Sequence, residues 1–129
     1  MENRGVLIDT SILIDFFRKE NKKSSTLYKI QENRTLYAST ITEFEFLAGV
    51  KDEKILSLRH FFSRINILPF DSKAAVKASS IFKDLKRKNQ IIEFRDIFIA
   101  ATALANHLPI STLNFVHFKR IKDLEILNI

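Results

Sequence analysis

Gly5-Val6-Leu7-Ile8-Asp9-Thr10-Ser11 is the stretch on which the fold turns. Its apolar run is too short for a buried helix and is bounded by turn-forming residues, so Gly5–Ile8 reads as a short, fully buried strand. Asp9 ends the run, and Thr10 or Ser11 can cap a helix through about Arg18 that buries Ile12, Leu13, Phe16 and Phe17. A buried strand passing straight into an amphipathic helix is how an α/β unit with a parallel sheet begins.

The chain repeats this alternation outward from there. Ser24 or Ser25 starts a second helix ending near Asn33, Leu36–Ala38 reads as a strand, and a helix follows from about Ile41 to Gly49. Ile55, Leu58, Phe62 and Ile65 recur at helical spacing between Glu53 and Arg64. Ile67–Phe70 reads as a strand despite Pro69, which lacks the N–H a ladder needs. Asp71-Ser72 caps the clearest amphipathic helix, with Ala74, Ala78, Ile81, Phe82 and Leu85 inside, five Lys or Arg outside, and Asn89 as its stop. Asp96–His107 is apolar almost all round and reads as a buried helix. Pro109–Thr112 reads as a strand, Asn114–Lys119 as a turn or short helix, and Glu125–Leu127 as a last strand. The expectation is one α/β domain over residues 1–129, with a mainly parallel central sheet flanked by helices.

Composition narrows the chemistry. With 129 residues, 46% of them apolar and 12 Phe, the chain can bury roughly two thirds of its unfolded surface. Lys and Arg outnumber Asp and Glu 21 to 15, a net charge of +6, which favours polyanionic partners such as nucleic acid. The absence of cysteine excludes disulfides, thiolate metal sites and thiol nucleophiles, and it suits a reducing, cytoplasmic setting. Two glycines, Gly5 and Gly49, cannot build a phosphate-cradling loop. No apolar stretch reaches the roughly 18 residues of a membrane span, so a soluble protein without membrane attachment is expected.

Against this background three acids stand out. Asp9 closes a buried strand, Asp96 opens a buried helix, and Glu45 is flanked by Phe44 and Phe46. A buried carboxylate is costly unless it is paired or coordinates a metal. Asp9 is open both to helix capping and to a site role, the latter because ligands of parallel sheets sit outside the carboxyl ends of strands. Asp96 carries the same pair of readings, and Arg95 beside it is either its ion-pair partner or a phosphate contact. Helical spacing does not separate Glu45 from Glu43, and Glu93 is a fourth candidate whose ordinary alternative is a surface salt bridge. Two carboxylates about 4 Å apart repel by roughly 4 kcal/mol at an effective dielectric near 20, so a cluster of them needs a cation. Hard oxygen donors suit Mg²⁺ or Mn²⁺, and His60, His107 and His117 are too scattered to favour a softer ion.

At these residues the chain resembles the PIN-domain ribonucleases, most closely the VapC toxins of toxin–antitoxin pairs. The matching segments are Val6-Leu7-Ile8-Asp9-Thr10-Ser11, Glu45-Phe46-Leu47-Ala48-Gly49, Arg95-Asp96-Ile97-Phe98-Ile99-Ala100-Ala101-Thr102-Ala103-Leu104 and Thr112-Leu113-Asn114, in that order over nearly the whole chain. The resemblance selects Glu45 over Glu43, because VapC toxins carry a Glu followed four residues later by Gly. It implies that Asp9, Glu45 and Asp96 form an acidic Mg²⁺ pocket, also served by Mn²⁺, that cleaves single-stranded or looped RNA. It further implies a homodimer and a cognate VapB-like antitoxin that blocks the pocket. The chain departs from the family where another Asp often follows the Thr-x-Asn segment, since it offers Asn114 and then His117. Asn114 or Glu93 is left as the fourth-position candidate, with Thr10, Ser11 and Thr112 as supporting hydroxyls. The competing expectation is a PIN-fold RNA- or protein-binding module that cuts weakly or not at all. An aspartyl-phosphate protein ranks lower, because Ser11 stands where such phosphatases carry a second Asp.

Overall fold

A computed structural model describes residues 4–127. Its strands are β1 (Gly5–Ile8), β2 (Thr35–Ser39), β3 (Asn66–Leu68) and β4 (Ile110–Ser111). The helices are α1 (Thr10–Arg18), α2 (Thr26–Gln31), α3 (Thr40–Gly49), α4 (Ile55–Phe62), α5 (Ser72–Arg87), α6 (Phe94–Ala105) and α7 (Phe115–Phe118). The four strands pair in parallel in the order β3-β2-β1-β4, with Leu7 opposite Tyr37 on one side and Ile110 on the other. The expected α/β class and parallel sheet are what the chain adopts.

β1 explains the two-sided core. Successive side chains of a strand point to opposite faces. Val6 and Ile8 pack with Ile12, Leu13, Leu27, Ile30 and Phe62, whereas Leu7 packs with Leu85, Ile97, Ala101, Ile110 and Phe118. α1, α2 and α4 therefore cover one face, and α5 and α6 cover the other. Strand progression runs outward from β1 to β3 and then reverses to β4, and a right-handed crossover in the reverse direction delivers helices to the opposite face. The reversal leaves a crevice beyond the carboxyl ends of β1 and β4.

Several boundaries differ from expectation for local reasons. α1 begins at Thr10 because Asp9 is its cap, accepting from the Ile12 N–H at 3.3 Å. β3 stops at Leu68, before Pro69, as the missing donor requires. The helix placed over Glu53–Arg64 is a single 3₁₀ turn at Asp52–Lys54 followed by the shorter α4. Glu125–Leu127 adds no full strand. Its backbone exchanges two 2.9 Å bonds with Ile110 around one parallel bridge at Ile126. Phe17 is 39% exposed rather than buried, because the apolar stripe of α1 continues past the core. No helix among the described residues is long and apolar enough to cross a membrane.

Candidate active site

Asp9, Glu45 and Asp96 are brought to one cleft of about 830 Å³. Asp9 hangs from the end of β1 and is only 3% exposed. Its Oδ1 accepts from the Ser11 hydroxyl at 2.6 Å as well as from Ile12, and its Oδ2 accepts from the Thr112 hydroxyl at 2.6 Å. Thr112 follows β4, so hydroxyls from both sides of the crevice hold this carboxylate. Thr112 in turn accepts from the Asn114 N–H at 2.8 Å, and the Leu113 N–H donates to Ser11 at 2.9 Å. Burial pushes the Asp9 pKa up, and these donors only partly counter it.

Asp96 sits in the first turn of α6, 8% exposed. It is not the helix cap, since Glu93 occupies that position. Burial raises its pKa as well. Arg95 pulls in the other direction, and the charges of Asp9 and Glu93 add to the rise. Among the described residues the basic side chain within 4.0 Å of its carboxylate is His117, whose Nδ1 lies 3.9 Å from Oδ2.

Glu45 projects from α3 toward these two. Its Oε1 accepts from Thr10 at 2.8 Å, and Thr10 also meets the Thr42 hydroxyl at 3.1 Å. Its Oε2 pairs with Arg95 at 3.0 Å. Arg95 is thus the salt-bridge partner of Glu45 and, through its Nε at 3.1 Å, of Glu93, rather than the direct partner of Asp96. Glu93 itself is largely exposed. Asn114 lines the cleft, and its Nδ2 lies 2.8 Å from His117 Nδ1. The apolar half of the cleft went unrecognised from sequence. Ile14, Phe17, Phe46, Leu58 and Phe61 form a trough beside the acids, with Arg18 and Lys54 on the lining. The only signal for it is the excess of Phe, three of which stack here at 4.9–5.5 Å between ring centres.

The PIN domain family model matches residues 6–124. The chain belongs to the PIN-domain family. Within that family its relatives are VapC proteins. Ribonuclease VapC1 of Methanocaldococcus jannaschii is 31% identical over 123 residues, 95% of this chain and 85% of that protein. Ribonuclease VapC of Rickettsia bellii is 34% identical over 134 aligned positions, 97% and 96% of the two chains. The crystal structure of VapBC2 from Rickettsia felis bound to a DNA fragment from their promoter superposes with a TM-score of 0.81 at 26% identity, covering 97% of this chain and 98% of that one.

The donor chemistry of this PIN domain suits a hard divalent cation. Among the described residues no Lys or Arg nitrogen lies within 4.0 Å of the Asp9 or Asp96 carboxylates, although both are buried. Nor do three acidic or histidine side chains there form a ready-made metal cage. Two carboxylates with the remaining positions left to water is the sparse protein coordination that Mg²⁺ accepts. The residues present fit such an ion.

Proposed function

We propose that this VapC-family PIN domain is a Mg²⁺-dependent endoribonuclease, with Mn²⁺ able to substitute, that hydrolyses RNA phosphodiester bonds as the toxin of a toxin–antitoxin pair. The observation that carries this is the pair of buried carboxylates, Asp9 and Asp96, left among the described residues without a Lys or Arg partner where the sheet order reverses and open to a cleft. The relatives' own designation as ribonucleases supports the same chemistry.

A bound divalent ion supplies a lowered water pKa and neutralises charge on the phosphodiester. The chain's own residues do the positioning. Ser11 and Thr112 hold Asp9 in one rotamer, α6 presents Asp96 from the opposite side, and Thr10 orients Glu45 toward the shared space. Asn114 lines the cleft as a neutral amide, and Glu93 reaches it only through its pair with Arg95. The surplus of cationic side chains gives backbone affinity that weakens with salt. The partners we assign are a VapB-like antitoxin and a second copy of the chain. The VapBC2 likeness supports the first, and the family resemblance alone supports the second.

The test is to incubate the protein with structured RNA, with and without Mg²⁺ or Mn²⁺, beside an Asp96→Asn variant. Metal-dependent cleavage lost in the variant is expected, whereas undiminished cleavage by the variant would overturn the site. The second reading, a binding module that does not cut, is favoured by the Asn114–His117 pair standing in place of a further acid. RNA binding without cleavage under any metal condition would select it.

A further inference from the structure

We propose that Arg95 is a built-in counter-cation for Glu45, so that metal loading and the Arg95–Glu45 ion pair compete for the same carboxylate. This rests on the metal reading of the site given above. Both Glu45 oxygens are already engaged, Oε1 by the Thr10 hydroxyl at 2.8 Å and Oε2 by Arg95 Nη1 at 3.0 Å. The Thr10 bond leaves the charge of Glu45 intact, but the guanidinium neutralises it. The two ends of the pair differ in freedom: the Glu45 side chain is 19% exposed and the Arg95 side chain 54%. The guanidinium is therefore the end that moves.

It also has somewhere to go. Arg95 Nε contacts Glu93 Oε2 at 3.1 Å, so a guanidinium released from Glu45 stays tethered at the mouth of the cleft, one residue from Asp96. There it can meet a phosphate in the bidentate manner that arginine favours. Glu93 thereby acts as a holster for Arg95 and not as a metal ligand. Because the pair joins α3 to α6 across 50 residues of sequence, metal loading that competes for Glu45 is expected to loosen a contact between the two helices.

The test is calorimetric titration of Mn²⁺ and Mg²⁺ into the intact wild-type chain, Arg95→Met, Glu45→Gln, the double variant and Lys54→Met. Arg95→Met is expected to bind metal about three- to fivefold more tightly than wild type, the range for an ion pair with one half-exposed partner. On the Glu45→Gln background the same change should give no gain, and Lys54→Met, which removes a cleft cation unpaired with Glu45, should change affinity less than twofold. Equal or weaker binding by Arg95→Met, or the same gain without Glu45, would overturn the competition while leaving the metal site standing. Titrations in which none of the five proteins binds either ion would overturn the metal reading and this inference with it. Should Arg95→Met fail to fold by circular dichroism, Arg95→Gln carries the same comparison.

Discussion

Replacing Asp96 with Asn should make the metal-free protein more stable and its metal response absent. The Asp96 carboxylate is buried, receives no hydrogen bond from the described residues, and shares the cleft with the still more buried Asp9. Leaving such a group uncompensated costs about 1–3 kcal/mol. Against this, the charge lies in the first turn of α6, where the helix dipole favours an anion by about 0.3–1 kcal/mol. The net gain for the amide is about 1 kcal/mol. Unfolding entropy of about 2.1 cal/mol/K per residue over the 129-residue chain converts that to a rise of about 4 °C in Tm. Its pH dependence has a definite sign. Both aspartates have folded pKa values above the unfolded value of 3.8, so the folded protein binds the extra proton just above that pH, and stability falls as pH rises through the folded values. The advantage of the variant should therefore vanish below about pH 4 and grow as pH rises through the folded pKa values. Scanning calorimetry of both proteins in EDTA, from pH 4 to 8, measures this; a second series in 10 mM Mg²⁺ should raise the wild-type Tm only. A variant less stable than wild type at pH 7 in EDTA would refute the view that Asp96 is held at a cost for function.

Three further outcomes follow from particular contacts. Thr112→Val removes the 2.6 Å bond to Asp9 and the acceptor for the Asn114 N–H, so Tm should fall by about 4–8 °C (about 1–2 kcal/mol) and metal affinity should drop, read by thermal melts and calorimetry. His107 ends α6 at φ 55°, with the Leu108 N–H reaching back to the Ala103 carbonyl at 2.9 Å, an arrangement that favours glycine; His107→Gly should raise Tm by about 4 °C without altering RNA cleavage. RNA affinity, measured in EDTA by fluorescence anisotropy against salt, should fall with a log–log slope of about −1.4, from the two cleft cations Arg18 and Lys54, because Arg95 is held by Glu45 and Glu93. Replacing Arg18 and Lys54 together by Met should bring that slope close to zero.

The legible part of this chain was whatever local pattern controls. The Gly5–Ile8 strand follows from a short apolar run bounded by turn-forming residues, and the helix after it and the amphipathic α5 from period-3.6 spacing, because burial on one or both faces leaves that trace in a single stretch. What stayed hidden depends on partners far along the chain. Glu45 and Glu43 both have apolar neighbours on a helical wheel, and in the structure it is Thr10 and Arg95, 35 and 50 residues away, that single out Glu45. Phe17 misled for a related reason. An apolar residue on an apolar stripe reads as core, but the α1 stripe runs out into the cleft, where Phe17 packs on Phe46 and Phe61 as a wall. A concave site with an apolar wall borrows the same residue types that fill a core, so composition cannot tell the two apart.

Asp9 shows why capping and catalysis were never true alternatives. A carboxylate offers about four acceptor positions on two oxygens. The cap uses Oδ1, which takes the Ile12 N–H and the Ser11 hydroxyl, while Thr112 takes one position on Oδ2. One lone pair of Oδ2 is left, on the oxygen that faces the β4 side of the crevice. Capping thus fixes the rotamer and spends one oxygen, and the other stays available to a cation. The hydroxyls that fix it are neutral, so they orient the charge without cancelling it. An arginine in their place would have held Asp9 as firmly and left nothing for a metal to neutralise, which is the compromise the chain makes at Glu45 instead.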